Sequence, residues 1–156
     1  MLSKQISFFA VVFFLSATSC AELLPISQNY NLNLDEKIWQ KGQGKLSVDG
    51  PTWNLFSNIK KSSSQIFFED TYVPIKFAKD RLPKTCLSLL AKKTNSEEFC
   101  KLSKAIDGKS QELTLISVYS TQQKEILKFR TTVFIGSPAE NEILLKKISK
   151  KDVNRK

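Results

Sequence analysis

The chain has 156 residues, three cysteines, no histidine, and a net charge of +9 from 24 Lys/Arg against 15 Asp/Glu. Without histidine the commonest general base and the usual zinc ligand are missing, so Ser-His-Asp and Cys-His catalytic arrangements are excluded. Lysine supplies nearly all of the positive charge and favours contact with something anionic: lipid head groups, lipopolysaccharide, acidic glycans or an acidic protein face.

Residues 1–20 have the layout of an export signal. Lys4 precedes an apolar run from Ile6 to Leu15, interrupted only by Ser7, and small polar residues then lead to Cys20. A spanning helix needs about 20 largely apolar residues, and this run is half as long. A cleaved signal is therefore expected in preference to an uncleaved anchor. Two cleavage sites compete. Ser19-Cys20-Ala21 offers small residues at the positions a general signal peptidase reads, which allows a cut after Ala21. Ala17-Thr18-Ser19-Cys20 resembles the lipobox of bacterial lipoproteins, with Ala17 in place of the usual leucine. That resemblance implies a Gram-negative envelope lipoprotein whose Cys20 becomes the lipidated (palmitate-bearing) first residue. Because Ala21 rather than aspartate follows the cysteine, it also implies outer-membrane sorting. The resemblance covers only these twenty residues and carries no fold or activity.

Three cysteines leave one over in an oxidising compartment. Either cleavage resolves the parity, since Cys20 is lipidated or removed and Cys86 and Cys100 remain to form a disulfide. Their bridge would close a loop of about 15 residues, for which the chain-entropy model gives about 3 kcal/mol. Two sulfurs at this spacing, with no histidine, do not make a zinc site. No metal or other cofactor is expected.

Residues 21–36, with Pro25, Asn29, Asn31 and Asn33, read as an extended linker, the tether that a lipidated Cys20 needs. If this stretch docked instead, Leu32, Leu34 and Ile38 would be its buried side chains. Gly42, Gly44 and Asp49-Gly50-Pro51 punctuate the next stretch, with a short strand expected over 44–49. Thr52 to Lys60 is ambiguous, since Trp53, Phe56 and Ile59 at threefold spacing also suit a short helix. Gln65 to Ala78 reads as two strands around a Glu69-Asp70 turn. Pro74 cannot donate a ladder hydrogen bond and places the second of them at an edge or bulge.

From Leu82 to Ile106 the period becomes helical. Cys86, Leu89 and Leu90 share one face, Thr94 to Glu97 matches a capping box, and Phe99, Leu102 and Ile106 follow as a second stripe ahead of Gly108. This predicts two short helices joined by the disulfide. Leu113 to Tyr119 and Ile126 to Ile135 alternate as an antiparallel hairpin. Ser137-Pro138-Ala139-Glu140 then opens a C-terminal helix with Ile143, Leu144 and Ile148 as its buried stripe. The expected fold class is α+β: a small antiparallel sheet, a disulfide-linked helical hairpin insertion and a C-terminal helix. A single domain is placed at 37–150, followed by a basic tail at 151–156.

Lys146, Lys147, Lys150, Lys151, Arg155 and Lys156 form the densest charged block, facing only Asp152. It reads as a solvated tail or as a clamp on an anionic surface. Asp35, Glu36, Asp49, Glu69, Asp70 and Asp80 could in principle supply a two-carboxylate site, but acids beside turns ordinarily cap or solvate. Gly42-Gln43-Gly44-Lys45 lacks the spacing of a phosphate loop and reads as a strand-flanking turn. Trp39 and Trp53 suit core anchoring or stacking on a sugar or peptide. The expectation is a non-enzymatic envelope protein acting through protein partners, with a membrane contact through Cys20 and no nucleic-acid partner. The alternative is a secreted or periplasmic inhibitor or binding module for an enzyme or anionic glycan.

Overall fold

The computed structural model describes residues 21–91 and 98–152. The longest strands are β7 (Gln111–Ser120) and β8 (Ile126–Gly136), paired antiparallel as the alternation predicts. Both carry apolar side chains on both faces, as strands covered from both sides must. Phe134 points one way into a large core, while Phe129 and Val133 point the other way into two smaller ones. Around this pair stands a six-stranded antiparallel sheet in the order β3-β4-β5-β8-β7-β6. Its other members are β3 (Trp39–Lys45), β4 (Thr52–Asn58), β5 (Gln65–Pro74) and β6 (Cys100–Ala105).

A second sheet holds β1 (Ala21–Pro25), β2 (Tyr30–Asp35) and β9 (Ile148–Lys150), with β2 in the middle. Residues 21–36, expected as a linker, thus form part of the fold. Leu24, Ile26, Leu32 and Leu34 are buried with Phe56, Ile66, Leu113, Leu115 and Phe134 of the larger sheet. The docked alternative placed Leu32 and Leu34 correctly. The asparagines between them lie on the outward alternates of β2, so polarity every second residue marked a half-buried strand and not a tether. At the other end of the chain, Lys150 closes β9 and pairs with Tyr30 in the ladder.

The opposite face of the six-stranded sheet is covered in part by short helices. A 3₁₀ turn at Ile75–Phe77, helix α1 (Ala78–Arg81) and a 3₁₀ helix at Lys84–Leu90 place Ala78, Leu82 and Cys86 over Val73, Ile116 and Phe129. The helical hairpin is corrected here. Cys86 lies on a 3₁₀ helix, and Cys100 begins strand β6 instead of sitting on a second helix. Threefold spacing of Phe99 and Leu102 was a local signal, whereas Cys100–Ala105 gains a full ladder against β7. The capping box at Thr94 to Glu97 falls outside the described residues. The disulfide itself is present, with Cys86 and Cys100 Cα atoms 5.5 Å apart.

Three further differences share one cause, that short apolar runs do not fix a register. The strand expected at 44–49 is β3 at Trp39–Lys45, and Leu46 and Val48 lie exposed in the turn after it. Thr52–Asn58 is a strand, and Gln65–Pro74 is one continuous strand, not two. Gly42 to Lys45 is strand, not a flanking turn. Gly44 packs closely there: a Cβ would stand 2.8 Å from a Leu55 methyl and 3.3 Å from the Phe67 ring, and the leucine would have to shift.

Helix α2 (Pro138–Lys146) starts as predicted. Ser137 Oγ accepts from the Glu140 backbone N–H at 3.2 Å and Glu140 accepts from the Ser137 N–H at 3.0 Å. Glu140 also receives the Ser64 hydroxyl at 2.8 Å and faces Lys61 Nζ at 2.9 Å. Its buried side chains are Asn141 and Leu144, whereas Ile143, expected in the stripe, is 56% exposed and Ile148 belongs to β9.

Two measurements follow from this packing. Leu32→Ala removes a fully buried side chain from β2 and should cost about 2–5 kcal/mol in urea denaturation, where a linker residue would cost nothing. Lys61, the Ser137 N–H and Ser64 together pull the Glu140 carboxyl from 4.5 down to about 2. A depressed carboxylate contributes stability above its unfolded value and loses it as pH falls through the folded one. Glu140→Gln should therefore lower the Tm at pH 7, with the difference from wild type shrinking below pH 4.5 and vanishing near pH 2.

Candidate functional site

The residues singled out in the sequence do not converge on one site. Cys20, Arg155 and Lys156 lie outside the described residues. Lys146 is exposed at the end of α2 and Lys150 is exposed on β9. Lys147 is half-buried, and its carbonyl accepts the Asn33 N–H. Lys151 is built into the fold. Its N–H donates to the Asn29 carbonyl at 2.7 Å and its ammonium to the Ser27 carbonyl at 3.0 Å. Burial, with Arg130 and Lys128 nearby, lowers its pKa. The basic block is therefore divided between exposed lysines and one lysine that ties the C-terminal segment to the β1–β2 turn.

The candidate carboxylates are likewise separate. Asp35 accepts the Lys37 N–H, and Asp70 is held by Arg130. Among the described residues there is no group of three or more Cys, Asp or Glu side chains placed to hold a metal ion. Trp39 is buried in the main core, and Trp53 packs against Leu55, Phe67 and Val133. Both are core anchors.

The best-connected polar group lies between the sheets. Arg130 donates two hydrogen bonds of 2.6 Å to the two oxygens of Asp70 and one of 2.7 Å to the Pro25 carbonyl. Burial disfavours its charge, yet the hydrogen bonds and charge of Asp70 outweigh that and raise its pKa. Lys128 stands 3.8 Å from Asp70 and 4.2 Å from the centre of the Tyr119 ring. Burial also raises the pKa of the Tyr119 phenol. Beside it, Glu98 accepts from Ser27 and Asn29 at the β1–β2 turn, and Phe99 meets Tyr30 edge-on at 6.2 Å. These contacts hold the two sheets together, although the Tyr119 hydroxyl is buried without a hydrogen-bond partner.

Two surfaces are left open to partners. The first follows from unequal strand lengths. β4 pairs only with Gln65–Phe68 of β5, so Glu69–Pro74 has a ladder partner on the β8 side alone among the described residues. Of the edge strand expected at Tyr72 to Ala78, only Tyr72–Pro74 lies on this one-sided stretch of β5, an otherwise interior strand, and Ile75–Phe77 turns away as 3₁₀ helix. Tyr72 on this flank is 65% exposed. A hollow of about 370 Å³ beside it is lined by Tyr72, Thr121, Gln123 and Ile126.

The second is a crevice of about 350 Å³ where the turn after β3 approaches the turn after β6. Phe67 and Ile135 line its interior, Leu46 and Ile106 its sides, and Lys45 and Lys104 also border it. Its residues come from five separate segments, and no sequence pattern joined them.

No family model matches the chain, and none of the curated proteins does. No helix among the described residues is long and apolar enough to cross a membrane.

Removing Arg130 tests the polar group between the sheets. Arg130→Ala leaves Asp70 and the Pro25 carbonyl without their donor, and should cost roughly 2–4 kcal/mol, near the lower end for a broken buried pair. Chemical denaturation at pH 7 measures it. Arg130→Lys should recover only part, because an ammonium cannot reproduce the bidentate fork.

Proposed function

We propose that this chain is an exported bacterial envelope protein, lipid-anchored through Cys20, that acts by protein–protein contact as an accessory or assembly component of an envelope or secretion complex. The signal-like residues 1–20 and the lipobox resemblance support the address, outer-membrane and facing the periplasm. The observation that carries the mode of action is the one-sided pairing of Glu69–Pro74. Such a strand presents backbone donors and acceptors to an extended segment of a partner, and main-chain pairing supplies affinity while neighbouring pockets read side chains. Tyr72 is exposed on the same strand and also lines a hollow toward the β7–β8 turn.

β1 begins at Ala21, immediately after the anchor cysteine. A lipid on Cys20 would hold the three-stranded sheet against the membrane surface with no slack, and the partner would have to meet the domain there. The exposed lysines at 146 and 150 would add a weak attraction to anionic head groups.

The second reading is a released binding module, cut after Ala21, for an enzyme or an anionic glycan. The lysine-bordered crevice favours it.

Palmitate labelling in cells tests the anchor: incorporation should occur in the wild type and disappear in Cys20→Ala. Unchanged processing of Cys20→Ala would exclude lipidation and leave the released module. A photo-crosslinking residue at Tyr72 should give a discrete adduct with an envelope protein, while the same residue at the exposed Ile143 should not. Equal adducts at both positions, or none at Tyr72, would remove the strand flank from the proposal.

A further inference from the structure

We propose that the crevice between the β3–β4 and β6–β7 turns binds a free medium-chain fatty acid, with the carboxylate at Lys45 and Lys104 and the chain over Phe67 and Ile135. The reading does not depend on where the protein resides or on the strand flank. It begins with the two edges of the six-stranded sheet. Gly44 leaves the end of β3 close over Leu55 and Phe67, where an added Cβ would make the Leu55 methyl shift. That approach brings Lys45 and Leu46 to the same crevice as Lys104, Ala105 and Ile106 of the opposite edge. The edges approach but do not pair, since β3 bonds only to β4 and β6 only to β7. The space left resembles the mouth of a barrel that has not closed, a common location for small-molecule sites.

Three properties of this space select the ligand. Its floor is mixed, with buried Phe67 and half-buried Ile135 supplying an apolar strip beside Gln65 and Glu112, beneath exposed Leu46 and Ile106. Its border is cationic, and neither Lys45 nor Lys104 makes an ion pair within the described residues. Glu112 sits directly across the ladder from Lys104 and offsets one positive charge, so the border suits a monoanion better than a phosphate dianion. The volume, about 350 Å³, is near the lower end of ligand pockets. One short chain fits it better than the two chains of a phospholipid. A carboxylate bearing a single saturated chain has this combination of head charge, tail and size.

The test uses the full chain in phosphatidylcholine nanodiscs, with a diazirine-bearing dodecanoate as the probe and mass-spectrometric mapping of its adducts. Adducts should fall on the segments around 45–46, 104–106 and 135, and excess dodecanoate should suppress them while dodecyltrimethylammonium should not. Lys45→Gln with Lys104→Gln should raise the dodecanoate needed for suppression about tenfold, the scale expected for a charge-assisted hydrogen bond. Ala105→Trp, at an exposed position bordering the crevice, should abolish labelling without lowering the Tm. Labelling scattered along the chain, equal suppression by the cationic amphiphile, or labelling unchanged in both variants would overturn the proposal. Preferential labelling of the same residues by a diazirine phosphatidylglycerol would also overturn it, in favour of membrane lipid.

Discussion

The arrangement of the two sheets turns on Arg130. Its guanidinium belongs to β8, its carboxylate partner to β5, and its third acceptor is the carbonyl of Pro25 at the end of β1. One side chain therefore links two central strands of the larger sheet to the edge strand of the smaller one. A charge this sheltered is tolerated only when its donors are occupied, and here Asp70 and the backbone take them in a planar fork. The apolar contacts of Leu24, Leu32 and Leu34 supply the bulk of the attraction between layers, but such contacts are non-directional. Directional bonds from Arg130, and the Ser117 hydroxyl donating to the Ile26 carbonyl at 2.7 Å, set where the smaller sheet rests.

With that interface in place, the two faces of the larger sheet have different fates. One is covered along its length by the three-stranded sheet and α2. The other is covered by short helices over Val73 and Phe129, and by the curl of β3 and β4 over Phe67. Between these covers the molecule keeps its two open features, a strand flank and a crevice. Both result from strands that stop short of one another, β4 along β5 in one case and β3 short of β6 in the other.

Sequence patterns recovered the features whose causes are local. The β7–β8 hairpin was legible from alternation over ten-residue stretches, and the α2 start from Ser137, Pro138 and Glu140. Cys86 and Cys100 were legible from parity, because only the number of thiols and the expected compartment entered that inference. Features decided by distant partners were not legible. Cys100–Ala105 has a helical stripe yet becomes a strand because β7 offers it an edge. The leucines of β2 alternate correctly, but their burial depends on a sheet contributed by residues 39–136. The crevice was the least legible, because Lys45, Phe67, Lys104 and Ile135 meet only after the sheet curls.

The position of β2 has a consequence for the order of events in the cell. Its neighbours are β1, next to it in the chain, and β9, which follows more than a hundred residues later. Synthesis proceeds from the N-terminus, so the smaller sheet stays unfinished until Ile148–Lys150 have been made. Pairing across such a separation is slow, because the intervening loop must close before the contacts repay it. Nascent β1 and β2 therefore spend most of translation without the sheet that shields their leucines. Among the described residues β9 acts as a latch, completing the smaller sheet after the larger one has been made.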